Sequence, residues 1–457
     1  MKYGVGMSGT FLAIILAAGD GTRMRSSLPK VLHKVGGLAM VGHVIHAVKD
    51  AGCQKMALVV GNGAEKVSAE AGALGVAMDT FIQTERLGTA HAVLAAKDAI
   101  ASGQMDVIIG YGDTPLVTSD LFKSISDCLT AGADVAVLGF ETEQPTGYGR
   151  LLMKGDQLMA IREEKDASDE ERKVTFCNSG IMGLKGDHAL ALLEAIGNDN
   201  LKGEYYLTDA VEIARERGLD VRAVSGAEED TLGVNNRAEL SEAETIYQSR
   251  RRLQFMLDGV TLRAPDTVHF SFDTEIGRDT IIEPNCFFAP GVKIADGVMI
   301  KAHSYFEGDL KTGLYVEIST GAEIGPYARL RPGADIGEDV KVGNFCEVKN
   351  AKVAKGAKIN HLTYIGDSEL GEGCNIGAGT ITCNYDGFSK FKTIIGAGAF
   401  IGSNSALVAP VTIAAGAYVG SGSVVTKDIS ENALGLARGR QVEFEGWAET
   451  FRQKNAK

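Results

Sequence analysis

The chain has 457 residues and a formal net charge of −13 at pH 7, and apolar residues make up 45% of it. This length allows two or three domains, each with its own hydrophobic core. The acidic balance argues against nucleic acid or anionic membranes as main partners, so any bound phosphate must be held by local Arg, Lys and backbone N–H groups.

The first predicted element, the apolar run Phe11–Ala18, has two interpretations. Together with Lys2 before it and the small residues Ala17-Ala18-Gly19 at its end, it weakly resembles a secretion signal. Alternatively, it is a buried strand leading into a glycine turn, which we favour because cleavage would leave the turn unsupported. No run is long enough to span a bilayer, and seven cysteines without framework spacing suit a reducing cytosol. We therefore expect a cytoplasmic protein without membrane insertion.

From residue 11 to about 228, strand-like runs alternate with helical patterns, an order that predicts an α/β Rossmann-like fold around a mostly parallel sheet. Ligands of such folds bind beyond the carboxyl ends of the strands, where the glycines and charges of this half collect. The runs are strand-like at Phe11–Ala18, Met56–Val60, Asp106–Gly110 and Asp134–Phe140, and helical at Met40–Ala51 and His91–Ala101.

A glycine-rich segment, Leu16–Met24, follows the first strand. Gly19 and Gly21 allow the backbone to approach a phosphate closely with its N–H groups pointing inward. Arg23 and Lys30 add the positive charge that a triphosphate needs. The segment lacks the third glycine of a Rossmann fingerprint and the Gly-Lys-Ser/Thr of a Walker loop. Glycines alone also serve tight strand–helix turns, but the whole string Gly-x-Gly-Thr-Arg-Met-x4-Pro-Lys is far more specific.

The second half has a period of six residues. After a polar stretch at 235–258, which predicts a connecting helix, an apolar residue stands at every sixth position from Ile276 to Val348, except at Thr312. This spacing fits a β-solenoid, in which each short strand points one apolar side chain into a stacked interior. Residues 276–428 then make roughly eight coils. We therefore predict three segments: 1–234, 235–258 and 259–457.

Two interruptions of this period indicate function, because interruptions on a rigid scaffold often carry it. The register slips by one residue within Val348–Ile359, and Thr382–Lys392 is a polar insertion. His361 follows the slip, and a histidine near neutrality is a suitable base for an amine that attacks a thioester. A single histidine on a strand is more often structural, but the cations Arg331 and Lys349 in the same region favour a site.

The Gly-x-Gly-Thr-Arg-Met-x4-Pro-Lys string resembles the signature of sugar-1-phosphate nucleotidyltransferases. Residues Leu87–Ala90, Tyr111–Asp113 and Asn178–Gly180 agree with it. With the solenoid added, residues 11 to about 450 resemble a bacterial bifunctional family, the N-acetylglucosamine-1-phosphate uridylyltransferase/glucosamine-1-phosphate acetyltransferases. The resemblance implies a left-handed parallel β-helix of hexapeptide repeats and a homotrimer with acetyl sites between neighbours. The six-residue spacing by itself indicates neither the handedness nor the trimer.

The resemblance also implies ligands: UTP, N-acetylglucosamine-1-phosphate, glucosamine-1-phosphate, acetyl-CoA and Mg²⁺. For uridine, phosphates and sugar it implies contacts from Leu16, Ala17, Ala18, Gly19, Arg23, Lys30, Gln83, Gly88, Thr89, Tyr111, Gly112, Asp113, Gly149, Glu163, Asn178 and Asn235. The metal ligands among them would be Asp113 and Asn235. Glucosamine-1-phosphate would be bound by Arg331, Lys349, Tyr364 and Asn375, with His361 as general base. Acetyl-CoA would contact Ala378, Asn384, Tyr385, Ser403, Ser421 and Arg438.

Asp113 has two interpretations, a metal ligand or a turn cap. It follows the strand Asp106–Gly110 and offers a hard oxygen to a hard cation, but a carboxylate before Pro115 could equally cap a turn. Two residues depart from the family pattern: Glu164 stands where a less acidic residue is expected, and Ser421 stands where alanine is expected.

The sequence therefore favours a two-step enzyme that acetylates glucosamine-1-phosphate and then uridylylates the product to UDP-N-acetylglucosamine. One alternative is a nucleotidyltransferase with a single activity, whose solenoid only assembles subunits or senses an effector. The Asn-His-Leu-Thr-Tyr string at 360–364 and the Asn-Tyr-Asp-Gly string at 384–387 argue against it, because a plain scaffold needs neither. A second alternative, a purely structural trimer, conflicts with the intact glycine-rich loop.

Overall fold

A computed structural model describes residues 11–101, 105–200 and 202–456. Residues 1–10, which the first predicted segment includes, lie outside the described residues. The chain divides into two compact units, Met1–Gln248 and Ser249–Lys457. Within the described ranges, none of the helices combines the length and the apolar character needed to cross a membrane.

The first unit alternates strands and helices, as the spacing of its apolar runs predicts. Its last helix continues past residue 248. In chain order, the described elements are β1 Phe11–Ala17, β2 Lys34–Val35, β3 Leu38–Ala39, α1 Met40–Asp50, β4 Lys55–Val60, α2 Ala64–Gly72, β5 Asp79–Ile82, α3 Thr89–Leu94, α4 Lys97–Ala101, β6 Asp106–Tyr111, α5 Ser119–Thr130, β7 Val135–Glu141, β8 Arg150–Lys154, β9 Gln157–Arg162, β10 Phe176–Leu184, α6 Gly186–Glu194, α7 Asp209–Glu216, β11 Val221–Gly226 and α8 Arg237–Leu257.

The main sheet has the strand order β5-β4-β1-β6-β10-β7-β11-β9-β8. Its β5-β4-β1-β6 part is parallel, and so is the β7–β11 pair. Strand β10 is antiparallel to both of its neighbours β6 and β7, and β8 and β9 form an antiparallel hairpin. The predicted α/β fold is confirmed. The antiparallel β10 was not predicted, because a single sequence does not show which strands become neighbours.

Strand β1 shows that the sheet is covered by helices on both faces. All seven of its residues are apolar and buried, as is typical of a strand between two helical layers. Ile15 packs on one face in a cluster with residues of α1 and α5, while Ile14 packs on the other in a cluster with residues of α3, α6 and α7. The carboxyl ends of β1 and β6 are joined by a hydrogen bond from Gly112 N to Leu16 O, at 2.9 Å.

The regular structure of the second unit consists almost entirely of short strands, many of them two residues long. Its described elements after α8 are β12 Thr261–Leu262, β13 His269–Phe270, β14 Glu275–Ile276, β15 Ile281–Ile282, β16 Phe287–Phe288, β17 Val292–Ile294, β18 Met299–Ile300, β19 Tyr305–Phe306, β20 Val316–Ile318, β21 Glu323–Ile324, β22 Arg329–Leu330, β23 Ala334–Ile336, β24 Lys341–Asn344, β25 Glu347–Val353, β26 Lys358–His361, β27 Tyr364–Leu370, β28 Asn375–Ile376, β29 Ile381–Cys383, β30 Thr393–Ile395, β31 Phe400–Ile401, β32 Ala406–Val408, β33 Val411–Ile413, β34 Tyr418–Val419, β35 Val424–Val425, β36 Leu434–Gly435 and α9 Trp447–Asn455.

These strands form parallel ladders, so the unit is a β-helix. One ladder has the order β12-β15-β18-β21-β24-β26-β28-β31-β34-β36, in which every neighbour comes from the next coil. Its interior side chains pair in register, such as Ile282 with Ile300, and both are fully buried. The predicted six-residue period is thus the spacing between successive interior side chains along a coil.

The interruptions of the period have structural causes. Three regular repeats would place the partner of Ile300 eighteen residues later, but Ile300 pairs with Ile324, which is six residues further along the chain. The extra residues form an excursion that is closed by an antiparallel bridge between Asp309 and Leu314. The break at Thr312 lies in this excursion. Val342 pairs with Ile359, one residue earlier than three repeats would give, which is the predicted slip.

A second shortened coil, which was not predicted from the sequence, follows the first. Ile359 pairs with Ile376, again one residue early. The shortened corners lie within β25 and β27, two seven-residue strands that pair with each other at six of their seven positions. Both strands therefore pass through a corner that is one residue shorter than the others.

Two candidate active sites

A cavity of about 700 Å³ lies at the carboxyl ends of β1 and β6 in the first unit. Three predicted residues, Arg23, Gly112 and Asn235, do not line it, although Arg23 and Asn235 contact Lys30 or its partners at its border. The predicted residues that line it are Leu16, Ala17, Ala18, Gly19, Lys30, Gln83, Gly88, Thr89, Tyr111, Asp113, Gly149, Glu163 and Asn178.

The glycine-rich loop folds back on Lys30. Gly21 has a φ of +60°, and a Cβ at this position would lie 2.6 Å from the Cβ of Lys30. A side chain there would therefore be strained and would push Lys30 away. At Gly19, by contrast, a Cβ would meet nothing within 4 Å. The backbone of Gly19 is open to the cavity, as close approach of a phosphate requires.

Lys30, Asp113 and Asn235 meet at one corner of the cavity. The ammonium of Lys30 contacts the carboxylate of Asp113 and lies 3.1 Å from Asn235 Oδ1. Arg23 Nη2 also donates to Asn235 Oδ1, at 2.9 Å. A backbone hydrogen bond from Val234 N to Asp113 O, at 2.9 Å, holds the two oxygen-bearing segments together.

The chemistry of this corner fits a divalent cation. A carboxylate oxygen and an amide oxygen already converge on one positive charge, the ammonium of Lys30. The described residues contain no cluster of three or more His, Cys, Asp or Glu that could hold a metal alone. Mg²⁺ commonly takes one or two protein carboxylates and completes its shell with substrate phosphates and water. Asp113 and Asn235 are suited to that arrangement.

At the other end of the cavity lie Gly149, Glu163 and Asn178. The backbone N–H of Asn178 donates to Gly149 O at 2.8 Å, which joins β10 to the loop before β8. Burial raises the pKa of the Glu163 carboxyl, and a hydrogen bond from Thr208 Oγ1, at 3.3 Å, partly offsets this effect. A Cβ at Gly149 would lie 3.3 Å from Ile161 and 3.6 Å from Glu163 Oε1. Hydrogen-bonding groups therefore surround a space that a larger residue at 149 would reduce.

Several residues that line the cavity were not predicted as site residues: Arg86, Tyr148, Lys202, Tyr206 and Thr208. Lys202, Tyr206 and Thr208 belong to the largely polar segment 202–209, which lies outside the predicted strands and helices. The close fit of Gly88 against that string, where a Cβ would lie 2.5 Å from Tyr205 O, shows that the two segments are neighbours. A polar segment that interrupts an alternating α/β pattern was the available signal.

In the second unit, His361 ends β26 and is exposed. Its Nδ1 lies 2.8 Å from Oδ1 of Asn344, the residue that pairs with it on the preceding coil. The two residues line an open cavity of about 390 Å³, together with Tyr327 and Phe345. Asn344 was not predicted from the sequence, because its contact with His361 depends on the shortened coil between them.

His361 belongs to a column of residues that runs along successive coils. The carbonyl oxygens of His361, Ala378 and Ser403 each accept a hydrogen bond from the following coil, at 3.2, 2.7 and 2.8 Å. Ser421 continues the column, and its carbonyl accepts from Arg438 Nη1 at 2.7 Å. The structure thus brings four of the six residues predicted for acetyl-CoA into line with His361. Such a column suits a long, narrow ligand.

Cationic side chains also gather around Lys349 of β25. Burial lowers the pKa of the Lys349 ammonium, and the neighbouring cations Lys390 and Arg331 lower it further. Arg331 Nη1 pairs with Glu347 Oε1 at 2.7 Å, while Arg331 Nε is buried and has no partner within the described residues. Tyr364 lies beside Glu347 in the β25–β27 ladder. Such excess positive charge suits a phosphate group.

The remaining predicted residues differ in their surroundings. Asn384 is buried and donates to the carboxylate of Asp367, whereas Tyr385 is exposed in the insertion and donates to Gly387 O at 2.5 Å. Asn375 lies in β28, in register with Lys358 on the preceding coil. The amide of Asn384 is therefore already engaged within the protein.

Two protein families match parts of the chain. The MobA-like NTP transferase domain matches residues 13–175. The bacterial transferase hexapeptide family, with six repeats, matches residues 273–308 and 392–427. With the parallel ladders, the second match identifies the second unit as a left-handed parallel β-helix. The prediction of this fold is confirmed.

Curated proteins resemble the chain over nearly its full length. It is 55% identical to a protein of Agrobacterium fabrum over 448 residues, which covers 98% of this chain and 97% of the relative. Proteins of Azorhizobium caulinodans, with 54% identity, and of a Chelativorans species, with 58% identity, cover 98% of this chain and 98% and 97% of the relatives. All three are named bifunctional protein GlmU.

Proposed function

The chain belongs to the GlmU family of bifunctional proteins, and from this membership and its two sites we propose that it converts glucosamine-1-phosphate into UDP-N-acetylglucosamine. It is a uridylyltransferase and an acetyltransferase in one chain. The observation that carries the proposal is the presence of both constellations, the Lys30–Asp113–Asn235 corner and the His361–Asn344 pair.

In the first step, His361 removes a proton from the amine of glucosamine-1-phosphate as its nitrogen attacks the thioester carbon of acetyl-CoA. The C–S bond then breaks, and the departing thiolate of CoA takes a proton. Because Asn344 Oδ1 can only accept, the paired Nδ1 of His361 carries the hydrogen and Nε2 is the basic nitrogen. Arg331 and Lys349 bind the phosphate of the substrate, with Tyr364 and Asn375 beside the sugar. Acetyl-CoA lies along Ala378, Ser403, Ser421 and Arg438, with Asn384 and Tyr385 at the insertion.

In the second step, a phosphate oxygen of N-acetylglucosamine-1-phosphate attacks the α-phosphorus of UTP, and pyrophosphate leaves. Asp113 and Asn235 would hold Mg²⁺, which when bound neutralises charge on the phosphates. The protein's main contribution is positioning. Backbone N–H groups of the glycine-rich loop and Lys30 hold the phosphates. Gly149, Glu163 and Asn178 orient the sugar.

We further infer the organisation of the protein. Residues 1–234 carry uridylyl transfer, 235–258 form a connecting helix and 259–457 carry acetyl transfer. The β-helix assembles a homotrimer with acetyl sites between neighbouring subunits. The substrates are small molecules, and the protein acts in the cytoplasm. The match to transferase hexapeptide repeats supports the assembly, because such repeats are compatible with oligomers.

The test combines product analysis with two substitutions. The protein, supplied with glucosamine-1-phosphate, acetyl-CoA, UTP and Mg²⁺, should form UDP-N-acetylglucosamine. Asp113→Ala should lower uridylyl transfer by orders of magnitude and accumulate N-acetylglucosamine-1-phosphate, since a metal-held contact is lost. His361→Ala should lower acetyl transfer by roughly a hundredfold, because a positioned base supplies about that much.

Each variant serves as the control for the other. His361→Ala should still uridylylate ready-made N-acetylglucosamine-1-phosphate, and Asp113→Ala should still acetylate. If the wild-type protein formed UDP-N-acetylglucosamine only from the acetylated sugar phosphate, the solenoid would be a scaffold and the single-activity alternative would hold.

A further inference from the structure

A cluster of charged residues lies at the sugar end of the first cavity, and neither reaction step described above uses it. Arg150 is 1% exposed, and its Nη1 pairs with Glu164 Oε2 at 2.8 Å. Glu164 itself lines the cavity, and its Oε1 lies 3.9 Å from Arg172 Nε. We call Gly147, Arg150, Glu164 and Arg172 the Glu164 cluster. It contains the acidic residue that departs from the family pattern.

The cluster joins three segments of the chain. Glu164 Oε2 accepts a hydrogen bond from Gly147 N at 3.2 Å, which ties the residue after β9 to the loop before β8. Arg150 donates to the carbonyl of Tyr148 within the same loop, and at 3.3 Å to Arg172 O in the segment before β10. A Cβ at Gly147 would meet nothing within 4 Å. Glu164 therefore holds in place a loop residue, Gly147, that has no side-chain packing of its own.

The same segments carry the three residues proposed to orient the sugar. Gly149 stands between Tyr148 and Arg150, and Glu163 immediately precedes Glu164. Asn178 N donates to Gly149 O at 2.8 Å, so Asn178 is tied to the loop as well. A shift of the loop would move all three groups relative to one another, and small displacements of positioning groups have large effects on rate.

The charge of Glu164 also has a structural consequence. A guanidinium as buried as that of Arg150 needs a counter-charge, because an unpaired buried charge is strongly unfavourable. The hydrogen bond from Gly147 N–H lowers the pKa of the Glu164 carboxyl, and the bond from Arg150 lowers it further. The carboxylate thus remains charged at neutral pH, where it can satisfy Arg150 and accept from the loop at the same time.

We propose that Glu164 is a positioning residue for uridylyl transfer: by holding the loop 145–149 it orients Gly149, Glu163 and Asn178 around the sugar of N-acetylglucosamine-1-phosphate. This role rests on the proposed uridylyltransferase function. It concerns the sugar end of the cavity only. Glu164 does not contact the described residues of the Lys30–Asp113–Asn235 corner.

The test measures KM for each substrate and kcat separately. Glu164→Ala should raise KM for N-acetylglucosamine-1-phosphate by about tenfold or more while KM for UTP changes little. Glu164→Gln should recover most of this loss in KM, because its amide oxygen can still accept from Gly147 N and Arg150. It should still lower the melting temperature, because Arg150 loses its counter-charge. Acetyl transfer should be unchanged in both variants.

The matched control is Asp169→Ala. Asp169 is 95% exposed and pairs with the same Arg172, at 3.0 Å, yet it does not line the cavity. The Asp169→Ala variant should leave the KM values for UTP and for N-acetylglucosamine-1-phosphate unchanged. Thermal unfolding of each variant is measured in parallel. If Glu164→Ala proves unstable, the double variant Arg150→Met/Glu164→Ala replaces it, because the double variant no longer has an unpaired charge at Arg150. This double variant should show the raised sugar KM in a stably folded protein.

Three outcomes decide the proposal. A folded Glu164→Ala or double variant with unchanged KM for the sugar phosphate would overturn it. Equal losses for UTP and sugar phosphate, without recovery in Glu164→Gln, would make Glu164 a structural residue only. Failure of the wild-type protein to uridylylate N-acetylglucosamine-1-phosphate would instead overturn the proposed function, and the role of Glu164 with it.

Discussion

Lys30 is the residue at which the proposed nucleotide and metal parts of the first site meet. Its ammonium contacts oxygens of both Asp113 and Asn235, the two proposed metal ligands. The same side chain is proposed to contact the phosphates of UTP. A lysine ammonium and Mg²⁺ repel each other at short range. Under this proposal Lys30 would leave Asp113 when the metal binds, and the phosphates would offer it an alternative partner.

Lys30→Gln should therefore separate metal binding from nucleotide binding. In the absence of nucleotide, Mn²⁺ should bind this variant several-fold more tightly than the wild type, because the competing charge is gone. UTP should bind more weakly, because a phosphate contact is lost. Titration calorimetry with Mn²⁺ alone and with UTP measures both effects. Lys34→Gln, at an exposed position four residues away, is the control.

An unchanged or weaker Mn²⁺ affinity in Lys30→Gln would show that Lys30 does not compete for the metal ligands. The proposed positions of the metal and of Lys30 would then both need revision.

The insertion between β29 and β30 is the element that we propose adds ligand contacts to a regular solenoid. The strands on either side of it continue the ladders, since β29 pairs with β32 and β30 pairs with β33. The insertion therefore leaves the coil structure intact. It contributes Tyr385 to the surface and Lys390 to the cation group around Lys349.

Two lysines of this insertion should differ in effect. Lys390→Ala should raise KM for glucosamine-1-phosphate several-fold, because the phosphate loses one of the cations beside Lys349. Lys392→Ala is the matched variant, since Lys392 pairs with the carboxylate of Glu369 instead. Its KM should be close to that of the wild type. Steady-state acetylation assays at fixed acetyl-CoA measure both, and equal effects of the two variants would contradict the assignment.

On the scale of the whole molecule, the chain consists of two units with separate cores. The first has its own hydrophobic clusters on both faces of the sheet, and the second has one continuous core along the β-helix. The proposed uridylyltransferase residues end at Asn235, well before the first coils. This separation supports the proposal that each half-reaction is carried by its own unit.

A fragment of residues 1–258 should therefore fold, bind UTP with Mg²⁺ and uridylylate, but not acetylate. It should also lose the oligomer of the full-length protein, since the β-helix is the proposed trimer core. Light scattering and the two activity assays decide the matter. A trimeric fragment would place the interface in the first unit, and a folded monomer without uridylyl transfer would show that the solenoid completes the first site.

Some features followed from the sequence alone because they are local. The six-residue period predicted the β-helix, because each side of a coil contributes one interior side chain and successive sides are six residues apart. The apolar run Phe11–Ala18 and the glycines after it predicted a strand and a loop that approaches a ligand. The resemblance then supplied residue roles, and the full-length relatives confirm the family.

Other features depend on contacts between distant residues, and only the tertiary structure decided them. The shortened coil places Asn344 beside His361. The order of the strands places β10 antiparallel between β6 and β7. Glu164, recognised in the sequence only as a departure from the family, has its partner Arg150 because the β8–β9 hairpin brings them together. Residue spacing specifies local geometry, whereas such partners depend on how strands and coils pack against one another.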